Sequence, residues 1–269
     1  MASFPLIEEI LPRFMGNIDM VVDGYQQGQL NDWEEFKALV FRLATEKLIS
    51  AMDQKINGWE EMCSDPRMET YVHVTAVFVS LLTASEYMTL SEERRALMKW
   101  IVLFHDIGKK FELGKRDLVH PYPSAAITAR NLSNLGFPIG TTNFMYFADW
   151  QQKLSNAAVE VDGEMIPDKS KLPEILSGVT YLFGHNTSTA LVIKSVLLHQ
   201  SLNVLKDFPQ AAPLTDEEIK SYVDAELFPL LSLIHLVDSD AWQLYDAEKR
   251  GPYRDEIFAN LSRAWHLIK

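Results

Sequence analysis

Four ionisable side chains sit where the surrounding sequence makes charge expensive. His73 interrupts the run Tyr71-Val72-His73-Val74-Thr75-Ala76-Val77, and His105 and Asp106 close the apolar stretch Trp100–Phe104. Asp238 follows a second apolar stretch, 227–237. A buried carboxylate without a partner is strongly disfavoured or gives up its charge. Two carboxylates and two imidazoles remove that penalty together if they share a divalent cation, since imidazole nitrogen and carboxylate oxygen are accepted ligands of such ions. A cation held this way acidifies a bound water and polarises a phosphoryl oxygen.

Not every such residue earns this reading. A lone histidine in an apolar helix is usually a satisfied core residue, and His235 and His266 are placed in that class. Asp240, two residues beyond Asp238, is kept as a reserve ligand. The single cysteine, Cys63, excludes an intrachain disulfide framework and a cysteine zinc finger, and is read as a small core residue. The formal net charge is −12 with no basic block, which disfavours nucleic-acid binding. No apolar run approaches a membrane span, and residues 1–9 lack the pattern of a signal peptide, so the expected location is cytoplasmic.

The elements that must position these residues read as helices. Expected helices cover 7–14, 32–55, 70–87, 89–105, 121–135, 144–159, 173–183, 188–205, a segment from Thr215 to Ala247, and 254–268. Thr89 with Glu92, and Thr215 with Glu218, have capping-box spacing. Gly108 is expected to stop the helix before it, Pro229 to kink or restart its segment, and 16–30 to be irregular. Val159–Ile166 reads as a hairpin turning on Asp162-Gly163. The fold class is therefore all-α, with hydrophobic residues at 47%, ample for a core. The expected organisation is an N-terminal helical extension over 1–68, a core over 69–250 with an insertion at about 138–171, and a C-terminal helix over 251–269.

The string Phe104-His105-Asp106-Ile107-Gly108-Lys109 resembles the signature of the HD superfamily of metal-dependent phosphohydrolases. His73-Val74-Thr75-Ala76-Val77 resembles the family's first ligand segment, and Asp238-Ser239-Asp240-Ala241 its last. The resemblance covers about 70–245 and implies an HD-domain helical bundle with His73, His105, Asp106 and Asp238 as metal ligands. His120-Pro121-Tyr122-Pro123 resembles a segment of the dinuclear HD subgroup and of the HD domains of tRNA nucleotidyltransferases. It implies that His120 lines the site, as a second-metal ligand or as an acid–base group. A further histidine is implied after an apolar stretch, and both His185 and His199 qualify. The subgroup's pair of adjacent histidines is missing here. Lys109 is expected to face a substrate phosphate, and Arg130 and Lys194 are weaker candidates for the same role.

On this reading the chain hydrolyses a phosphomonoester or phosphodiester, of a nucleotide or similar small molecule, by metal-activated water. One or two ions fit, from Mn, Fe, Co, Ni, Zn or Mg. With two, about 3.5–4 Å apart, Asp106 is the natural bridge because a carboxylate has two oxygens. Two other readings compete. One is a dinuclear iron oxygenase on an HD-like scaffold. The other is a noncatalytic HD module that binds a nucleotide and regulates a partner. Oligomeric state is left open by the sequence.

Overall fold

The computed structural model describes residues 4–110, 117–202 and 213–269. The N-terminal helices are α1 (Ile7–Ile10), α2 (Pro12–Gln26), α3 (Trp33–Leu43), α4 (Glu46–Asp53) and α5 (Trp59–Met62). The helix expected over 7–14 is divided at Leu11, and Pro12 opens α2, since the first turn needs no N–H from it. The stretch expected to be irregular is helical through Gln26, because Phe14, Ile18, Val21 and Val22 recur on one buried face and outweigh the two glycines. The single helix expected over 32–55 is two. Asp32 caps α3 through the amides of Glu34 and Glu35, and the Thr45 hydroxyl accepts from Leu48 to start α4.

The central elements are α6 (Glu69–Thr83), α7 (Ser85–Met88), α8 (Glu92–Phe104) and α9 (Pro121–Asn134). The cap of α8 is Ser91, accepting from the Arg94 amide, rather than Thr89. Next come α10 (Phe144–Ser155) and the hairpin β1 (Ala158–Val161) with β2 (Glu164–Pro167). The strands pair antiparallel with Val161 opposite Glu164, leaving Asp162 and Gly163 as the two-residue turn. Their φ values, 52° and 84°, are both positive, as a type I′ turn requires.

The chain finishes with α11 (Leu172–Phe183), α12 (Ser188–Leu198), α13 (Asp216–Tyr222), α14 (Phe228–Trp242) and α15 (Ala247–Ile268). The helix expected to reach 205 ends instead at Leu198, with 199–202 in turns, and 203–205 lie outside the described residues. Thr215 and Glu218 form the expected capping box, and Pro229 starts α14 afresh. The last helix begins at Ala247, earlier than expected, with Pro252 inside it. Among the described residues the fold is all-α but for the one hairpin, and no helix is long and apolar enough to cross a membrane.

Helices α6, α12 and α14 are apolar nearly all round, so they occupy the middle and everything else covers them. α14 packs on α6, α8 and α12, and α12 packs on α8, α9 and α11. Phe14 meets Trp59 and Phe78 edge-on at 5.4 and 5.7 Å, joining the N-terminal helices to α6. Trp150 ties α10 to α11 by donating to the Ile175 carbonyl at 2.9 Å.

The chain after α8 must pass against the start of α9. A Cβ at Gly108 would lie 2.5 Å from the Ser124 nitrogen and 2.7 Å from the Pro123 carbonyl carbon, both backbone atoms that cannot step aside. The Gly108 amide also donates to the Ser124 hydroxyl at 2.9 Å. Glycine is thus required here by close approach, and α8 has already ended at Phe104. Gly108→Ala is expected to destabilise the protein by about 1–3 kcal/mol through overpacking, read as a lower midpoint in urea unfolding.

Candidate metal centre

Each central helix brings one end, or one inward residue, to a common point. His105 is the C-cap of α8, and its Nδ1 donates to the Val102 carbonyl at 2.8 Å. His199 repeats the arrangement as the C-cap of α12, donating from Nδ1 to the Val196 carbonyl at 2.7 Å. His120 is the N-cap of α9, with Nδ1 donating to the Asp117 carbonyl. A carbonyl can only accept, so the proton of each neutral ring is committed to Nδ1 and Nε2 carries a bare lone pair. Gln200 is placed to donate to His120 Nε2 at 3.3 Å, in keeping with that tautomer. His73 reaches in from the second turn of α6 and Asp238 from α14.

The ligand atoms form two groups, each gathered within 4.8 Å: His73, His105 and Asp238, and Asp106, His120 and His199. In the first, His73 Nε2 lies 2.8 Å from Asp238 Oδ1 and 3.5 Å from His105 Nε2. In the second, His120 Nε2 lies 2.9 Å from Asp106 Oδ1 and 3.2 Å from His199 Nε2. Asp106 stands between the groups. Its Oδ2 is 3.7 Å from His73 Nε2, and its Oδ1 is 3.7 Å from both His105 and His199 Nε2. Apart from the His73–Asp238 hydrogen bond, lone pairs at these separations repel unless positive charge lies among them. The donor set therefore fits divalent cations, two imidazoles and one carboxylate to each group.

The electrostatics agree. Burial opposes charge on Asp106, but the Lys109 ammonium and the imidazoles of His105 and His120 hold its carboxyl well below the usual range. Burial likewise opposes charge on Asp238, but the His73 hydrogen bond together with the charges of His73 and His105 holds its carboxyl below the usual range. Burial pushes His105 down, with Asp106 opposing, and burial with the nearby His120 pushes His199 down to about 3. Both carboxylates are thus ready as anions, and His105 and His199 as neutral ligands. Lys109 Nζ meets Asp106 Oδ2 at 2.7 Å and lies 5.8 Å from the Trp242 ring centre. Trp242 stacks on His73 at 4.5 Å and is 55% exposed. Asp238, Lys109 and Trp242 therefore mark the side on which the centre opens outward.

Of the histidines proposed from sequence, His73, His105, His120 and His199 converge with Asp106 and Asp238. His185 does not, and its assignment as a metal ligand is corrected. It follows Gly184, whose φ of 88° turns the chain off the end of α11, and its exposed ring sits 3.9 Å from Asp224. All eleven residues of α12, roughly 16 Å at about 1.5 Å per residue, lie between His185 and His199, so only one of the two can reach the centre. Asp240 is no reserve ligand either, because Arg254 holds it from Nε at 2.9 Å and Nη2 at 2.8 Å. Arg130 is exposed on α9, and Lys194 faces a different cleft. Trp242 was not anticipated, although its place one turn after Asp238 put it on the same helix face. His235 is buried on α14 with Nε2 unpartnered, and burial pushes it down to about 4.

Compared with protein-family models, curated proteins and solved structures, the chain has no match.

The buried neutral imidazoles predict a pH dependence of the metal-free fold. His199 and His235 titrate near 6.5 when unfolded but only at about 3 and 4 when folded. Protons then favour the unfolded chain below pH 6.5, so stability is lost as pH falls towards the folded values. At about pH 5 each imidazole is expected to cost ~2 kcal/mol. Urea unfolding of chelator-treated protein at roughly pH 7.5 and pH 5 checks this, and a flat profile contradicts it.

Proposed function

We propose that this chain is a metal-dependent phosphohydrolase of the HD kind, acting on a phosphate ester of a small molecule such as a nucleotide. The observation that carries this reading is the position of Asp106 between two groups of donors, with Oδ1 2.9 Å from His120 and 3.7 Å from His199 and His105, and Oδ2 3.7 Å from His73. The ordered motif His73, His105-Asp106, Asp238 resembles the HD pattern and supplies the phosphate chemistry. His73, His105 and Asp238 would hold one ion, His120 and His199 a second, and Asp106 would join them. Ions bound there would supply a hydroxide near neutral pH and an electrophile for the phosphoryl oxygen.

The remaining work falls to side chains. The Lys109 ammonium lies at the open edge and is the cation available to a phosphate in a chain of net charge −12. Its hydrogen bond to Asp106 orients it now; a dianionic substrate competes for the same protons. Trp242 offers an aromatic face beside His73, suited to a ring of the substrate. With only the first group filled, His120 is free to move a proton beside Asp106.

A second reading is a dinuclear iron oxygenase. It is favoured by the make-up of each group, two imidazoles and one carboxylate, which is the donor set of non-haem iron oxygen-activating sites.

Metal analysis of the purified protein, followed by phosphate release from nucleotides and nitrophenyl phosphates, tests the first reading. The expected result is divalent-ion-dependent release. A His105→Ala, Asp106→Ala double variant should keep its helical circular-dichroism spectrum and lose metal. Its rate should fall by at least about a hundredfold, since even outer partners of a ligand are worth ~10–100-fold. Iron as the bound metal, with oxygen consumed and no phosphate released, would favour the second reading.

A further inference from the structure

We propose that the cleft between α11, α12 and α13 is a second site, which binds the phosphate group of a small molecule over the ammonium of Lys194. The cleft encloses about 280 Å³, near the lower end for small-molecule sites. Lys194 is its floor, a lysine only 7% exposed. Among the described residues no carboxylate lies within 4.0 Å of its nitrogen. Burying an ammonium without a counter-charge is costly, and such charges are normally paired. The cleft is an open direction from which such a partner can come.

The walls fit an oxyanion. Lys220 and His185 stand at the rim, so three nitrogenous side chains surround one opening in a strongly acidic chain. The Ser177 hydroxyl adds a further donor, while those of Thr180 and Ser221 already donate to the carbonyls of Leu176 and Glu217 at 3.2 and 2.7 Å. The one carboxylate on the wall, Asp224, turns Oδ1 to its own loop and Oδ2 to Asn186, with His185 Nε2 at 3.9 Å. It accepts from the amides of Leu227 and Glu226 at 2.9 and 3.0 Å and from Asn186 Nδ2 at 2.9 Å. It acts on Lys194 only from a distance, and burial holds that amine below the ordinary lysine value despite it. A tetrahedral phosphate offers acceptors in several directions and two negative charges, which matches two ammonium groups and the Ser177 hydroxyl better than a carboxylate does.

The cleft is separate from the metal centre. Lys194 and His199 share α12 but stand five residues apart, about 140° round the helix, so they face different neighbours. No residue lining the cleft belongs to either donor group. The proposal therefore holds or fails independently of the hydrolase reading.

Titration calorimetry of the full chain with inorganic phosphate tests it. Saturable binding is expected in the parent protein, with equal affinity in the His105→Ala, Asp106→Ala variant. Lys194→Met should weaken binding by about tenfold or more, the worth of one charge-assisted hydrogen bond, and Lys194→Arg should largely restore it. Should Lys194→Met fail to fold, the exposed Lys220→Ala carries the test and should weaken binding several-fold. Sulfate should displace phosphate and acetate should not. Unchanged affinity in Lys194→Met, or in Lys220→Ala where that variant carries the test, overturns the site. So does binding lost only in the metal-centre variant, or no saturable binding in the parent. Acetate competing as well as sulfate overturns the assignment to phosphate.

Discussion

Three imidazoles in this protein give their one proton to a backbone carbonyl and have nothing left to donate inward. His105, His199 and His120 each do this, and their Nε2 atoms then face one another and the oxygens of Asp106. Packed side chains do not hold bare lone pairs 2.9–3.2 Å apart without compensation. Positive charge must lie among them, as protons on the rings, as the Lys109 ammonium, or as metal ions. Burial depresses the first option for His105 and His199, and Lys109 reaches only Oδ2 of Asp106. Divalent cations satisfy every atom of the set at once.

Helix ends make this arrangement possible. A side chain at a C-cap can return to the carbonyl three residues back, where the helix has carbonyls to spare, and doing so fixes the ring. α8 and α12 use the same device, and α9 supplies the complementary one at its start. The layers around these ends are apolar, which excludes water and strengthens each electrostatic contact within. The approach of α8's exit to α9 is so close that only glycine fits at 108, so the string His105 to Gly108 joins ligand chemistry to backbone packing.

Much of this was legible in the sequence, for a stated reason. His73, His105, Asp106 and Asp238 interrupt apolar runs, and an ionisable group in such a run signals either a partner or a cost. Residues His120 and His199 needed the family resemblance, since their local sequence alone does not single them out. The choice between His185 and His199 turned on a cue that was present but easily passed over. Gly184 caps α11 in a conformation that throws the next residue off the helix, whereas His199 is itself the cap and keeps helical register. Gly16 and Gly24 misled in the opposite direction, looking like breaks in a helix that burial of one face sustains. The cleft over Lys194 depends on how separate helices meet, and no local pattern encodes that, whereas the spacing of Trp242 from Asp238 on α14 is a local cue.

X-ray absorption spectroscopy of the protein loaded with a single transition metal tests the central claim most directly. The account predicts a first shell of nitrogen and oxygen near 2.0–2.2 Å, outer-shell scattering from about two imidazoles per ion, and a metal–metal vector at about 3.5–4 Å. A shell of water oxygens without imidazole scattering, or an ion bound equally well after His105 and His199 are both replaced, would contradict it.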